Sequence, residues 1–205
     1  MSFQRTATAR PSRSSGQLSL LGRGSSFYGG GPRTTRKSRE GRRPLAVKKT
    51  MHVVMRSSRA TGSRSFRARE NRFKIDEILR THAARNGVRL ISYANVGNHL
   101  HLHVKLGDRD GYPRFIRAVT SAIAMHVMRW SRWTAGERRL DKGRFWDYRP
   151  YTNVVTSWRG FLKLKDYIRI NQYEGMGIPR KTSEALVRSF RDLWAQGTKI
   201  IANSG

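Results

Sequence analysis

Strict alternation of apolar and polar residues marks residues 98–106. Its apolar positions are Leu100, Leu102, Val104 and Leu106. Between them lie three histidines, His99, His101 and His103. Successive side chains of a β-strand point to opposite faces of the sheet. The pattern therefore predicts a strand that buries the aliphatic side chains and presents the three histidines together on the opposite face.

Hydrophobic spacing along the rest of the chain predicts further helices and strands. The predicted helices cover residues 70–86, 113–133, 157–173 and 182–194. The predicted strands cover residues 51–56, 88–96, 98–106, 145–148 and 152–155. Hydroxyl side chains suit helix N-caps, so we expect Ser157 to cap the third helix and Thr182 or Ser183 to cap the fourth.

The resulting order, β-α-β-β-α-β-α-α, is close to a ferredoxin-like split β-α-β unit. We therefore expect an α+β fold, a ferredoxin-like antiparallel sheet with helices on one face and the other face free. Residues 1–49 have no apolar periodicity and carry many basic residues against a single acid, Glu40. This composition predicts a disordered basic N-terminal arm. The folded domain is expected over 50–175, and an extra C-terminal helical extension over 176–205.

The charge of the chain indicates its class of partner. Its 205 residues include 42 Lys and Arg against 13 Asp and Glu, a formal net charge of +29. Such a surface attracts polyanions, of which nucleic acid is the commonest. A structural RNA-binding protein of ribosomal type would explain the charge equally well. The histidine strand is what this alternative leaves unexplained.

Several classes of site are excluded by what the sequence lacks. There are no cysteines, which excludes disulfides, thiolate zinc sites and cysteine nucleophiles. No apolar run approaches the roughly 18 residues that a membrane span needs. The N-terminus has no signal-peptide core. These observations predict a soluble, cytoplasmic protein that does not bind a membrane.

Two residue clusters are candidates for chemistry. Neutral histidine is a common metal ligand, so His99 and His101 on one strand face can share a divalent cation. The alternative is that they form the solvated face of an edge strand. On the predicted helix 157–173, Tyr167 and Asn171 are four residues apart and share one face. A tyrosine at such a position usually packs, but an amide oxygen above it can complete a metal site begun by two histidines.

The pairing of these clusters resembles a known family. Residues 98–102, Asn-His-Leu-His-Leu, followed on a helix by Tyr167 and Asn171, look like the single-tyrosine HUH transposases, closest to the REP-associated tyrosine transposases. The match extends to Met-His-Val-Val at 51–54 and to residues 143–146 with Arg149. It covers roughly residues 45–175, which makes the domain over 50–175 transposase-like.

The resemblance implies a metal-dependent reaction on single-stranded or hairpin DNA. It implies that His99, His101 and Asn171 bind Mg²⁺ or Mn²⁺, and that Tyr167 attacks the scissile phosphate. The product would be a 5′-phosphotyrosyl intermediate that allows nicking and strand transfer. A phenol of pKa about 10 is a poor nucleophile at neutral pH. Three cations could help it to ionise, and the sequence does not choose between them: Lys163, Lys165 and Arg169.

Some residues depart from the family pattern or compete with it. His103 stands where relatives usually carry an apolar residue. It could be a substitute ligand, a DNA contact or a polar residue on an exposed face, and the last two are favoured. Gln172 points about 140° away from Tyr167 around the helix, which makes it a weaker ligand candidate than Asn171. Tyr148 and Tyr151 are alternative phenols that we do not expect to be the nucleophile.

Basic and aromatic residues interleave at 129–133 and 144–149, a pattern suited to base stacking and phosphate neutralisation. The candidate nucleic-acid-binding residues are Arg129, Trp130, Arg132, Arg144, Trp146, Arg149 and Arg169. The alternative is that the two tryptophans belong to the core and that only the arginines face DNA. The competing function is a catalytically inactive relative that binds hairpin DNA or RNA. The sequence leaves open whether the protein is a monomer or a homodimer.

Overall fold

The computed structural model describes residues 27–28, 43–129 and 144–202. Its strands are β1 (Phe27–Tyr28), β2 (Thr50–Arg56), β3 (Val88–Asn95), β4 (His99–Leu106) and β5 (Tyr151–Val155). Its helices are α1 (Arg69–Arg85), α2 (Gly111–Val127), α3 (Trp158–Gly175) and α4 (Arg180–Ala202). The predicted strands at 51–56, 88–96, 98–106 and 152–155 are thereby confirmed, and each of the four predicted helices has an observed counterpart. Helix α2 ends at Val127, earlier than the predicted end at 133, and residues 130–133 lie outside the described ones.

The strands form one antiparallel sheet in the order β1-β5-β2-β4-β3. The four longer strands follow the strand order of a ferredoxin-like unit, which confirms the predicted α+β fold. The strand with the three histidines, β4, lies between β2 and β3. It is therefore an interior strand, and its histidines are not the solvated face of an edge strand. Gly97, at φ +98°, forms the tight β3–β4 turn that a residue with a Cβ would strain.

Helices α1 and α2 cover the apolar face of the sheet. The buried side chains of this core come from all these elements and include Met51, Val53, Met55, Ile75, Leu79, Leu100, Leu102, Val104, Phe115, Val119 and Ile123. The alternation along β4 places its aliphatic residues in this core, as predicted, because every second side chain of a strand faces the same side.

Helix α3 packs on the opposite face, which the sequence analysis left free. Leu164 and Ile168, four residues apart and therefore on one side of α3, pack against Ala94 of β3 and Val155 of β5. The helix begins where expected, since the Ser157 side chain accepts a hydrogen bond from the backbone N–H of Gly160 at 3.0 Å. The sheet is thus covered on both faces along this part of the fold.

Two predicted elements differ from the observed ones. Residues 145–148 are not a strand: Phe145 and Trp146 both pack on the apolar core, and consecutive strand residues cannot face the same side. Helix α4 begins at Arg180, before the expected cap, and ends at Ala202. Ser183 lies inside the helix, where its hydroxyl donates to the Pro179 carbonyl, so it is not the N-cap.

The predicted basic arm over 1–49 lies largely outside the described residues, and its disorder stays a prediction. Two of its residues, Phe27–Tyr28, pair with β5 as the edge strand β1. Arg43 is bound to the folded domain, since its Nη1 donates to Tyr112 Oη at 2.9 Å and to the Pro150 carbonyl at 2.8 Å. Among the described helices, none is long and apolar enough to cross a membrane.

Candidate functional site

The structure brings Tyr167 and the two predicted histidine ligands together on the face covered by α3. The rings of His99 and His101, two residues apart on β4, have centroids 4.8 Å apart and stand nearly perpendicular. The ring of Tyr167, from α3, lies edge-on to His101 at 5.3 Å. Asn171, one helical turn later, is buried. Its amide Nδ2 donates to the Tyr167 carbonyl at 2.7 Å, so its amide oxygen is the atom left to act as a ligand.

A fifth residue, His52 of β2, lies in this site and was not predicted as part of it. Its Nε2 lies 3.1 Å from Nδ1 of His101, and the two ring planes are within 18° of parallel, with centroids 5.3 Å apart. The ring of Tyr167 is 6.0 Å away. The sequence signals for His52 are its polar position between two core residues of a predicted strand and its place in the segment 51–54 of the family match. The pairing of β2 with β4, which brings it to His101, is visible only in the fold.

The ring nitrogens of the two candidate ligands are engaged on one side and available on the other. Nδ1 of His99 lies 2.7 Å from Oδ1 of Asn98, and Nδ1 of His101 is engaged by His52. Nε2 of His101 is buried, with no hydrogen-bond partner within the described residues. Metal-ligating histidines usually bind the metal through one nitrogen while the other makes an outer hydrogen bond. The arrangement here has this form.

Burial keeps these imidazoles in the form that binds metals. Desolvation and, to a smaller extent, the nearby charge of Arg56 together lower the pKa of His99 to about 4. Desolvation, followed by the influence of His52, holds the pKa of His101 well below 6.5. Desolvation also lowers the pKa of His52 to about 3. All three are therefore neutral at pH 7, with a lone pair available on one ring nitrogen.

The donor set fits a divalent cation that keeps open positions. No group of three or more His, Cys, Asp or Glu side chains suited to a metal occurs among the described residues. Within the described part of the chain, the candidate donors are the two imidazoles and the amide oxygen of Asn171. Such a set leaves coordination positions for water or phosphate oxygens, which Mg²⁺ and Mn²⁺ accept.

Comparison with known proteins gives likenesses of fold. No protein-family model matches the chain, and no curated protein matches its sequence. Several solved structures resemble it, among them two transposases. A REP-associated tyrosine transposase bound to a REP hairpin is 16% identical, with a TM-score of 0.48 over 66% of this chain and 73% of its own. A candidate transposase from Deinococcus radiodurans R1 is 20% identical, with a TM-score of 0.38 over 65% of this chain and 97% of its own.

The first of these structures is of the class that the motifs at 98–102 and 167–171 resemble. Likeness at such identities describes the fold alone. The assignment of roles to individual residues therefore rests on the geometry of this chain.

His103 does not occupy the exposed position that was expected of it. It is fully buried and packs against Phe161 of α3, with ring centroids 4.8 Å apart. Neither of its ring nitrogens has a hydrogen-bond partner within the described residues. The expectation of a solvated residue or a DNA contact is wrong because α3 covers this part of the sheet.

The alternative candidates for nucleophile and ligand, Tyr148, Tyr151 and Gln172, differ in their exposure. Tyr148 and Gln172 are exposed. Tyr151 is half-buried beside His52, with ring centroids 6.1 Å apart, and burial raises the pKa of its phenol. Tyr167 is the phenol whose ring contacts the candidate ligand His101.

The candidate nucleic-acid contacts divide into exposed arginines and a packed tryptophan. Arg144 and Arg149 are exposed, and Arg169 is half-buried. Arg129 is exposed and forms an ion pair with Glu70 at 2.9 Å. Trp146 is half-buried, and its Nε1 donates to the Thr120 carbonyl at 2.9 Å, which favours the packing role for this residue. The remaining two candidates, Trp130 and Arg132, lie outside the described residues.

Proposed function

We propose that this protein is a metal-dependent transposase that nicks single-stranded or hairpin DNA and transfers the strand through a 5′-phosphotyrosyl intermediate. The observation that carries the proposal is the position of Tyr167. Its ring lies 5.3 Å from His101, a buried histidine whose Nε2 has no partner within the described residues. A candidate nucleophile and a candidate metal ligand therefore lie next to each other.

His99, His101 and Asn171 would hold Mg²⁺ or Mn²⁺. When bound, such a cation would polarise the scissile phosphate and stabilise the charge that develops on it. The imidazoles can take this role without losing a proton, because they are already neutral at pH 7.

Tyr167 would supply the covalent step. Its Oη forms a bond to phosphorus and loses its proton to solvent, while the bond from phosphorus to the 3′ oxygen breaks. That oxygen takes up a proton and leaves as a free 3′-OH. A 3′-OH can attack the phosphotyrosyl bond in return and release the phenol. The bond energy of the DNA backbone is kept in the covalent link, so strand transfer needs no external energy source.

The packing of α3 supports a nucleophile that is held in place. Leu164 and Ile168 are buried against the sheet on either side of Tyr167 in sequence. A helix fixed in this way restricts the motion of the Tyr167 side chain relative to the β4 histidines. Restricting the approach of a nucleophile to its target lowers the entropic part of the barrier.

Helix α3 lies on the sheet of its own molecule. This supports a protein that acts in cis, as a monomer does. A homodimer that exchanges α3 is the alternative. Mixing a Tyr167→Phe variant with a His101→Ala variant separates them: activity returns on mixing only if tyrosine and histidine come from different chains.

The test of the function uses labelled single-stranded hairpins from the DNA that flanks the gene. Incubated with protein and Mn²⁺ or Mg²⁺, they should give an adduct that survives SDS on a denaturing gel. We expect the adduct to disappear with a chelator, with Tyr167→Phe and with His101→Ala. Tyr148→Phe, which removes an exposed phenol, is the matched control and should leave it intact.

A second candidate function is a catalytically inactive relative that binds hairpin DNA or RNA. The observation that favours it is the lack of a carboxylate in the candidate metal site among the described residues, combined with the high positive charge. Tight, salt-sensitive binding of several hairpins without any adduct would establish this function and exclude the first one.

A further inference from the structure

We propose that His52 is a positioning residue, which fixes the ring orientation and the tautomer of His101 so that an unprotonated Nε2 faces the cation. The inference rests on the proposed function in one respect: it takes His101 to be a metal ligand. It adds a role for a residue on a different strand from the ligands.

The contact between the two rings is direct and buried. Nε2 of His52 lies 3.1 Å from Nδ1 of His101, and the ring planes are within 18° of parallel. His52 is 4% exposed and His101 is 1% exposed, so water does not compete for this hydrogen bond. A hydrogen bond between the edges of two nearly parallel rings restricts both the position and the rotation of the His101 imidazole.

The register of the sheet explains how His52 reaches His101. In the β2–β4 pair, His52 lies opposite His103, while Val54 lies opposite His101. His52 is therefore the diagonal neighbour of His101, and diagonal neighbours on one sheet face are within reach of ring side chains. The contact depends on this register, since a slip of one residue would turn His52 toward the apolar core.

The proton positions follow from the valence of neutral imidazole, which carries one N–H and one lone pair. In one arrangement Nδ1 of His101 donates to Nε2 of His52, and Nε2 of His101 keeps its lone pair. In the other, His52 donates and Nε2 of His101 carries the proton. The second arrangement places an N–H where the cation would bind. Only the first is compatible with metal ligation, and in it His52 acts as the acceptor.

His103 provides a matched comparison. It is buried on the same sheet face directly opposite His52, yet its ring nitrogens have no hydrogen-bond partner within the described residues. Its ring packs on Phe161. Replacing His103 therefore alters a buried histidine of this face without removing a hydrogen bond to a candidate ligand.

The first experiment measures Mn²⁺ binding by the full chain without DNA, by titration calorimetry. Loss of an outer hydrogen-bond partner of a metal ligand typically weakens metal binding by roughly 10–100-fold. We expect a loss of this size for His52→Leu. His52→Gln places an amide acceptor near the original Nε2 and should restore most of the affinity. His103→Leu should bind Mn²⁺ as the unaltered protein does.

The second experiment needs no variant, so it does not depend on how His52→Leu folds. Nitrogen-15 NMR of the histidine rings in the Mg²⁺-loaded protein distinguishes a protonated from an unprotonated ring nitrogen. We expect His101 to carry its proton on Nδ1 and His52 to carry its proton on the nitrogen that faces away from His101. A proton on Nε2 of His101 in the loaded protein would overturn the inference.

The outcomes separate this inference from the function on which it rests. Equal Mn²⁺ affinity in His52→Leu and the unaltered protein, with a metal-dependent DNA adduct in both, overturns the role of His52 and leaves the function standing. Affinity that falls in His52→Leu and recovers in His52→Gln supports the role of His52 even if no DNA adduct forms. An unaltered protein that binds no Mn²⁺ overturns both.

Discussion

The two faces of the sheet are built from the same strands, yet they follow different packing rules. On β4, Leu100 and Leu102 are fully buried against α1 and α2. Their neighbours His101 and His103 are equally buried on the opposite face, beneath α3. One strand thus supplies an apolar core to one side and a row of imidazoles to the other. Burial alone does not distinguish a stabilising face from a functional one.

The difference lies in the polar atoms that each face leaves without partners. Within the described residues, His52 Nδ1, His101 Nε2 and both nitrogens of His103 are buried without a hydrogen bond. An unsatisfied buried polar group typically costs about 1–3 kcal/mol. The apolar face must therefore provide the stability that lets the histidine face keep such groups.

The largest effects on stability and activity are expected from replacing, one at a time, two adjacent residues of β4 that face opposite sides of the sheet. Leu102→Ala should lower the free energy of unfolding by about 2–5 kcal/mol, because it leaves a cavity in the apolar core. His101→Ala should abolish Mn²⁺-dependent adduct formation, with a smaller loss of stability. Urea denaturation and the adduct gel measure the two effects. If Leu102→Ala were as stable as the unaltered protein, the assignment of stability to the apolar face would be wrong.

A smaller effect on stability is expected when the pH is lowered, and it arises from a histidine on the face covered by α3. Desolvation lowers the pKa of His103 to about 4, against 6.5 for an ordinary histidine. Between these values the unfolded chain binds a proton that the folded chain does not, so stability falls as the pH falls from 6.5 toward 4. His103→Leu removes this contribution. We expect it to unfold at higher urea concentrations than the unaltered protein at pH 5, and to differ less from it at pH 7.

One result for His103→Leu would contradict this prediction. A loss of stability at pH 7, together with an unchanged dependence on pH, would mean that His103 has a partner that stabilises it in the folded protein. The apolar neighbour Phe161 gives no reason to expect one.

The helices and strands whose hydrophobic period is visible in the sequence could be predicted, and with them four of the five residues of the candidate site. Alternation along β4 identifies the strand, its buried aliphatic residues and the shared face of His99 and His101. Helical spacing places Tyr167 and Asn171 on one side of α3, and Ser157 caps that helix as expected. These are local properties, because each depends on the geometry of a single element.

The features that could not be predicted depend on how the helices and strands pack against one another, which the hydrophobic period of a single element does not specify. His52 joins the site through the register of β2 against β4. His103 is buried because α3 covers a face that the pattern left free. The stretch at 145–148 reads as a strand, yet Phe145 and Trp146 turn toward one core. Each difference arises from contacts between segments far apart in the chain.

The smallest effects on stability and DNA binding are expected from two substitutions near the boundary between the apolar core and the basic surface. Trp146→Phe removes the hydrogen bond to the Thr120 carbonyl and should cost about 0.5–1.5 kcal/mol of stability while leaving hairpin binding unchanged. Arg149→Ala, at an exposed position, should leave stability unchanged and reduce the slope of log affinity against log salt by about 1. Urea denaturation and binding at several salt concentrations measure both variants. Weaker hairpin binding by Trp146→Phe at unchanged stability would instead assign this ring to base stacking and place it with the DNA-binding surface.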